Sequence, residues 1–327
     1  MRYVDNAGLT DPRLNLALEE YLLRNVASDE PLLLFYVNEP SVIIGRNQNT
    51  LEEIDPDFVS ANGIHLVRRL SGGGAVYHDL GNLNFSFVTQ GKEDLHNFAK
   101  FIQPVVDVLR SLGVPAELRG RSDIFVSGKK VSGNAQYATG KRMFSHGTLL
   151  FDTDLEAMLR AINPRQIEIE SKAVQSVRSF VTNIREWLPG EMTLADLRAA
   201  LLEGLFAGGR IESFDLDDAA WREVQAISAA RYANWEWNVG RSPESNLQKS
   251  ARLPAGKVDA RIQVEGGRIR SVKFFGDFSG RRDVAELEAF LSGVVYDRAA
   301  LAAALADLPL GDYIGRLEVA ELVDLLY

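Results

Sequence analysis

The chain has 327 residues, 46% of them hydrophobic and 25% charged, with a net charge of −9 and no cysteine. That length suggests about two domains with ample material for a core, and the negative charge argues against bulk binding to nucleic acid or an anionic membrane. The missing thiol removes disulfides, thiolate metal sites and cysteine nucleophiles together. No apolar run approaches the roughly 18 residues of a membrane span, and the first five residues lack a basic-then-apolar leader, so a cytoplasmic protein is expected.

Asp11-Pro12 supplies a cap and a first-turn proline. Leu14, Ala17, Leu18, Tyr21 and Leu22 follow at helical spacing, predicting a first helix with one buried face. Residues 32–37 and 41–44 read as strands about Asn38-Glu39-Pro40, and 55–63 carries the start and stop signals of a short helix. Next comes Arg68-Arg69-Leu70-Ser71-Gly72-Gly73-Gly74-Ala75-Val76-Tyr77-His78. Three consecutive glycines leave a main chain without Cβ atoms, so several amides can turn toward one anion, and two arginines stand beside them to meet its charge. The apolar run 64–67 before this loop and the alternation Leu83, Phe85, Phe87 after it place the loop between two strands.

Further on, 98–112 predicts a long amphipathic helix, and 124–136 a hairpin turning at Ser127-Gly128. Residues 146–151 read as a strand and 155–162 as a helix. Helical signals return at 193–206 and 219–230, before a Gly-, Ser- and Pro-rich stretch from Trp235 to Gly256. The domain boundary is expected near 247, dividing the chain into 1–246 and 247–327. In the second part, alternation over 258–264, the turn Gly266-Gly267, a return strand to Phe275 and helices at 283–291 and 298–306 make a small α+β unit.

Charge is concentrated: between Leu66 and His146 there are eleven Lys/Arg against six Asp/Glu. Lys92, Lys100 and Arg110 read as solvated helix decoration, whereas Arg119, Arg121, Lys129, Lys130, Lys141 and Arg142 fall near glycines and turns. Walker, dinucleotide, nucleophile-elbow and zincin motifs are all absent, and the four histidines have no metal-ligand spacing. In the 124–136 hairpin, Lys129 and Lys130 must point to opposite faces. Val131 shares the face of Lys129, while Ser132 and Asn134 share that of Lys130, so Lys130 is the expected functional amine.

Residues 69–84, Asp123 with Lys130-Val131-Ser132-Gly133, and His146-Gly147-Thr148-Leu149-Leu150 resemble, in order, three signature blocks of the lipoate-protein ligases. Ser171-Lys172, Ser176-Val177-Arg178-Ser179 and Val181-Thr182-Asn183 resemble a fourth, and the C-terminal part resembles the accessory domain of that family. The resemblance implies an α+β fold, a mixed β-sheet flanked by helices and similar to biotin protein ligases, with a small C-terminal α+β accessory domain. It implies ATP-dependent activation of lipoate to lipoyl-AMP, then transfer to a lysine of a lipoyl carrier domain, either the E2 subunits of 2-oxoacid dehydrogenases or the glycine cleavage H protein. No nucleic-acid or membrane partner is implied, and a monomer is expected.

By the same resemblance ATP would be bound by Arg69, Ser71, Gly72, Gly73, Gly74, Ala75, Val76, Tyr77, His78, Asn82, Lys130 and Arg142. Lipoate would meet Lys130, Gly74, His146, Thr148 and, from the first helix, Leu16 and Glu20. Lys130 and Asp123 are the catalytic pair, Asp123 either orienting the lysine or engaging a Mg²⁺ ion bound with the phosphates. His78 either positions the loop or is a satisfied core histidine. Cysteine-dependent acyl transfer, the route of related enzymes, is chemically closed. A transferase of preformed lipoyl-AMP or octanoyl-AMP and a non-catalytic ligand sensor remain as alternatives, the sensor having no need of an amine at Lys130.

Overall fold

β1 (Arg2–Val4) leads through the cap at Asp11, whose carboxylate accepts from the Arg13 amide, into α1 (Pro12–Arg24). β2 (Leu32–Tyr36), β3 (Ser41–Ile44), α2 (Thr50–Glu53), α3 (Pro56–Ala61), β4 (His65–Arg68), β5 (Val76–His78) and β6 (Asn82–Gln90) follow. Then come α4 (Phe98–Ser111), β7 (Ala116–Arg119), β8 (Asp123–Val126), β9 (Lys129–Ala138), β10 (Arg142–Leu150), α5 (Leu155–Ala161), α6 (Leu194–Leu205) and α7 (Asp218–Ile227). The computed structural model describes all residues except Asn49, Lys92, 163–179, 241–244, Asp277 and Ser279. Lys92 and the stretches Ser171-Lys172 and Ser176–Ser179 of the fourth sequence block thus lie outside the described residues.

The chain divides into two compact units, Met1–Asn234 and Trp235–Tyr327. The first holds a seven-stranded mixed sheet in the order β1-β2-β6-β10-β9-β8-β7, with β1 parallel to β2 and the other pairs antiparallel. A second, three-stranded sheet has the order β4-β3-β5. One face of the large sheet, through Phe35, Leu83 and Phe85, packs with Ile102, Val105 and Leu109 of α4 and Leu197 and Leu201 of α6. This is the face that the 98–112 periodicity called for. The small sheet buries Val42, Ile44 and Tyr77 with Val59 of α3 and Ala161 of α5. α1 packs against β6 and β10 of the large sheet and β4 of the small one, so this one helix borders both.

The glycine loop does not lead straight into the strand of Leu83, Phe85 and Phe87. It joins β4 to β5, and a tight turn in which the Asp79 carboxylate accepts from the Gly81 amide then leads to β6. Three residues of β5 are too few to register as a period-2 pattern.

In the second unit β11 (Ser245–Leu253), β12 (Gly256–Glu265) and β13 (Arg268–Gly276) form an antiparallel sheet, with Gly266 and Gly267 at φ +56° and +69° in the turn. α8 (Val284–Leu291), α9 (Arg298–Leu305), α10 (Leu310–Ile314) and α11 (Val319–Leu326) complete it. β11 pairs along its length with β12 although the sequence reads as a loop there. Of its described side chains only Leu247 is buried, which leaves a weak strand signature. Among the described residues no helix is long and apolar enough to cross a membrane.

Candidate active site

A cavity of about 270 Å³ opens where the two sheets of the first unit and α1 meet. Its apolar wall is Leu16, Tyr36 and Ile43. Gly73, Gly74, Ala75 and Val76 approach from the β4–β5 loop, and Asp123, Lys130, His146 and Thr148 from the large sheet. Residues far apart in sequence thus share one space, as expected for a ligand site.

Lys130 stands on this cavity and Lys129 does not. Lys129 borders a separate depression with Asp154, Thr182 and Glu186, as alternation from Lys129 to Lys130 requires, and Val131 is fully buried at the point where the β8–β9 register shifts. Lys130 Nζ lies 3.0 Å from Asp123 Oδ2. Both side chains are about one-third exposed, so the pair contributes only ~0–1 kcal/mol and is cheap to exchange for a ligand anion. The main chain at Lys130 is held on its other side: its amide donates to Phe180 O (2.7 Å), and its carbonyl accepts from the Thr182 amide (3.2 Å).

Arg69 builds the glycine loop. Its Nη2 donates to Gly72 O (2.7 Å) and Gly74 O (2.8 Å), its Nε to Ser71 Oγ (3.0 Å) and its Nη1 to Ile43 O (2.9 Å). Drawing those carbonyls to one side leaves the amides of Gly72, Gly73 and Gly74 with no acceptor among the described residues. This is the arrangement a backbone anion cradle needs. Burial lowers the Arg69 pKa to about 10, with Tyr36 and Glu19 acting in the opposite sense, so it stays cationic at neutral pH. Gly73 has φ +97°, and a Cβ there would lie 3.0 Å from Arg69 Nη2. Gly45, in the neighbouring loop, is needed for a different reason: its Cβ would fall 2.0 Å from Gly73 O.

Arg68, expected beside Arg69 at the anion, instead points into the protein. It is fully buried and donates to Gly45 O, Arg46 O, Gln48 O and Thr50 Oγ1, which fixes the loop against which Gly73 rests.

A second network joins the cradle to α1. Ser71 Oγ, already an acceptor for Arg69, lies 2.8 Å from His146 Nε2, and His146 Nδ1 lies 2.9 and 3.1 Å from the two Glu19 oxygens. Both nitrogens of His146 are therefore engaged, and its ring borders the cavity.

Of the remaining sequence-predicted residues, Leu16, Gly74, Val76, His78 and Thr148 line the cavity. Tyr77, between Val76 and His78 on β5, faces the small sheet's core instead. Asn82 is buried and donates to Asn84 Oδ1, and it is Asn84 that reaches the cavity. Glu20 and Arg142 are not brought to it. Glu20 accepts from Arg24 (2.7 Å) and Tyr232 (2.9 Å) and pairs with Arg231 (3.2 Å), because α1 turns that carboxylate toward the π-helical turn after α7. Arg142 is buried with its guanidinium donating to Leu22 O and Val26 O at the end of α1.

Residues 11–206 match the model of the lipoyl protein ligase A/B catalytic domain, and 242–326 that of the bacterial lipoate protein ligase C-terminus. The chain belongs to the lipoyl protein ligase A/B family. It is 48% identical to the lipoate-protein ligase LplJ of Bacillus subtilis over the whole of both chains. Among solved structures it is similar to the bipartite lipoate protein ligase of Thermoplasma acidophilum, with a TM-score of 0.67 and 30% identity over 75% of this chain and 98% of that one. A lipoate-protein ligase A bound with ATP gives a TM-score of 0.62 and 31% identity, over 73% and 98% of the two chains.

In this lipoyl ligase family member, the site residues not anticipated from sequence include Glu19, Tyr36, Ile43, Gly45, Asn84 and Asn134. Asn134 carried a signal, since it shares the face of Lys130. Glu19 carried one in part, lying one helical turn from Leu16. The others become visible only when separate strands converge.

Proposed function

We propose that the protein is an ATP-dependent lipoate-protein ligase. In the first step a lipoate carboxylate oxygen attacks the α-phosphorus of ATP, the bond to pyrophosphate breaks, and lipoyl-AMP forms. In the second the neutral amine of a carrier lysine attacks the acyl carbonyl. AMP leaves with the electron pair of the broken bond, and the nitrogen gives up a proton as the amide forms. Neither step needs a nucleophile from the enzyme, which suits a chain without cysteine.

The observation that carries this reading is the single cavity shared by the Lys130 amine, the triglycine turn and an apolar wall. The loop amides would receive the α-phosphate, with Arg69 holding their geometry. Lys130 would leave Asp123 for the oxygens that gain charge in both transition states. Leu16, Tyr36 and Ile43 would enclose the acyl chain, and His146 and Thr148 would border it.

Among the described residues there is no cluster of three or more metal-ligating side chains. The lone carboxylate of Asp123 fits a Mg²⁺ held mainly by phosphates and water, and such an ion would neutralise phosphate charge. The first unit would carry the chemistry and the second would be the accessory domain; the two compact units part after Asn234, the expected domains after residue 246. The acceptors would be lipoyl domains of 2-oxoacid dehydrogenase E2 subunits and the glycine cleavage H protein, modified in the cytoplasm by a monomeric enzyme.

The test is to mix protein, lipoate, ATP and magnesium with a lipoyl domain. Pyrophosphate release and a mass gain of one lipoyl group on the acceptor are expected. Pyrophosphate-free mixtures with an unmodified acceptor would refute the reading.

A further inference from the structure

The two histidines that line the cavity differ in what they leave free. His146 has both nitrogens engaged, by Glu19 and by Ser71. His78 has only Nδ1 engaged, 2.9 Å from Asn38 Nδ2, while its Nε2 is buried with no partner among the described residues. A buried polar atom without a hydrogen-bond partner is costly, and a ligand in the cavity that His78 lines would supply one.

Which nitrogen carries the proton follows from main-chain carbonyls several residues away. Asn6 Nδ2 donates to Leu9 O (2.8 Å), which fixes that amide's orientation and directs Nδ2 also to Asn15 Oδ1 (2.9 Å). Asn15 Nδ2 in turn faces Leu9 O (3.0 Å), Val37 O (3.2 Å) and Asn38 Oδ1 (2.8 Å). Carbonyl oxygens only accept, so neither amide can flip. Asn38 is left presenting N–H to His78, and His78 Nδ1 must accept. Asn6, Asn15, Asn38 and His78 are all at least 97% buried, so water does not compete for the bonds.

We propose that His78 is a neutral Nε2–H donor to an oxygen of the bound acyl-adenylate, its tautomer locked by the one-way chain Asn6, Asn15, Asn38. The nature of the ligand rests on the ligase reading above; the lock rests on the geometry alone. Burial, reinforced by the Arg69 charge, lowers the His78 pKa to about 3, so the donor persists uncharged across the working range. A neutral donor discriminates by geometry. It does not hold the anion so firmly that AMP cannot leave.

The test begins with the intact protein labelled with ¹⁵N in its imidazoles. The His78 signal should show a proton on Nε2 and no titration between about pH 5.5 and 8.5, where an ordinary histidine changes charge. A proton on Nδ1, or titration in that range, overturns the lock. Lipoyl-sulfamoyl-adenosine, a stable mimic of lipoyl-AMP, should move the Nε2–H resonance. His78→Leu should bind it about tenfold more weakly, the loss of one buried hydrogen bond, and His78→Gln, which carries an N–H at a similar place, should recover most of that. Tight binding with an unmoved resonance and wild-type affinity in His78→Leu would overturn the donor role and leave the ligase reading standing. Failure of the wild-type protein to bind the mimic would sink that reading, with the tautomer spectrum still deciding the lock.

Discussion

Replacing Gly45 with alanine should disable the phosphate loop from outside its own sequence. The new Cβ would lie 2.0 Å from Gly73 O and 3.0 Å from its carbonyl carbon. Non-bonded heavy atoms settle near 3–4 Å, so the loop must retreat by about 1 Å. It cannot do so freely, because Arg69 holds the carbonyls on either side of Gly73 and Arg68 holds the loop of Gly45. Overpacking of this kind costs about 1–3 kcal/mol, or a fall in Tm of about 2–12 °C at about 2–4 °C per kcal/mol for a unit of this size. A displacement of about 1 Å at a positioned phosphate costs up to about a hundredfold in rate. The assay is lipoate-dependent pyrophosphate release across a range of ATP concentrations, with a thermal melt beside it. Gly74→Ala is the control for the clash: no heavy atom lies within 4 Å of its added Cβ. Its stability should stay within about 0.5 kcal/mol of wild type while the methyl on the cavity wall weakens ATP binding. Wild-type kcat/KM for ATP and an unchanged melt in Gly45→Ala would refute the reasoning.

Lys130→Ala should slow both lipoate activation and single-turnover transfer from preformed lipoyl-AMP by at least about a hundredfold with little loss of stability; undiminished turnover would remove the amine from the mechanism. A histidine whose folded pKa is depressed to about 3 stabilises the fold fully above its unfolded value near 6.5. That contribution fades as pH falls, by about 1.4 kcal/mol per unit between those limits. Urea unfolding at pH 6.5 and 5.0 should therefore differ by about 2 kcal/mol more in the wild type than in His78→Gln, and equal slopes would count against the buried neutral ring. Glu20→Leu takes away the acceptor shared by Arg24, Arg231 and Tyr232 and should lower stability by about 1–3 kcal/mol with the lipoate KM unchanged. A raised KM with an unaltered melt would return Glu20 to the cavity wall.

The parts of this protein that were legible in its sequence are those governed by local rules. The Asp11-Pro12 cap, the long helix at 98–112 and the turns at Ser127-Gly128 and Gly266-Gly267 each follow from a few adjacent residues. Strand alternation was enough to separate Lys130 from Lys129. What escaped depends on distant segments. β5 is too short to show a period, and β11 is a strand because β12 lies beside it. The arginines were read as ligands of an anion because their charge was visible and their direction was not. Arg68 ends among carbonyls of another loop, and Arg142 at the end of α1. Glu19 and Glu20 are neighbours in sequence, and only packing decides that the first reaches His146 and the second a tyrosine beyond α7.

The line of contacts from Glu19 through His146 to Ser71 and Arg69 ties the helix that carries Leu16 to the turn that would receive the nucleotide. An acyl tail too long or too thick for the slot would press on that helix, and the strain would arrive at the main-chain amides facing the phosphate. Recognition of chain length at one end of the pocket would then register as reactivity at the other, with no moving lid required to relay it.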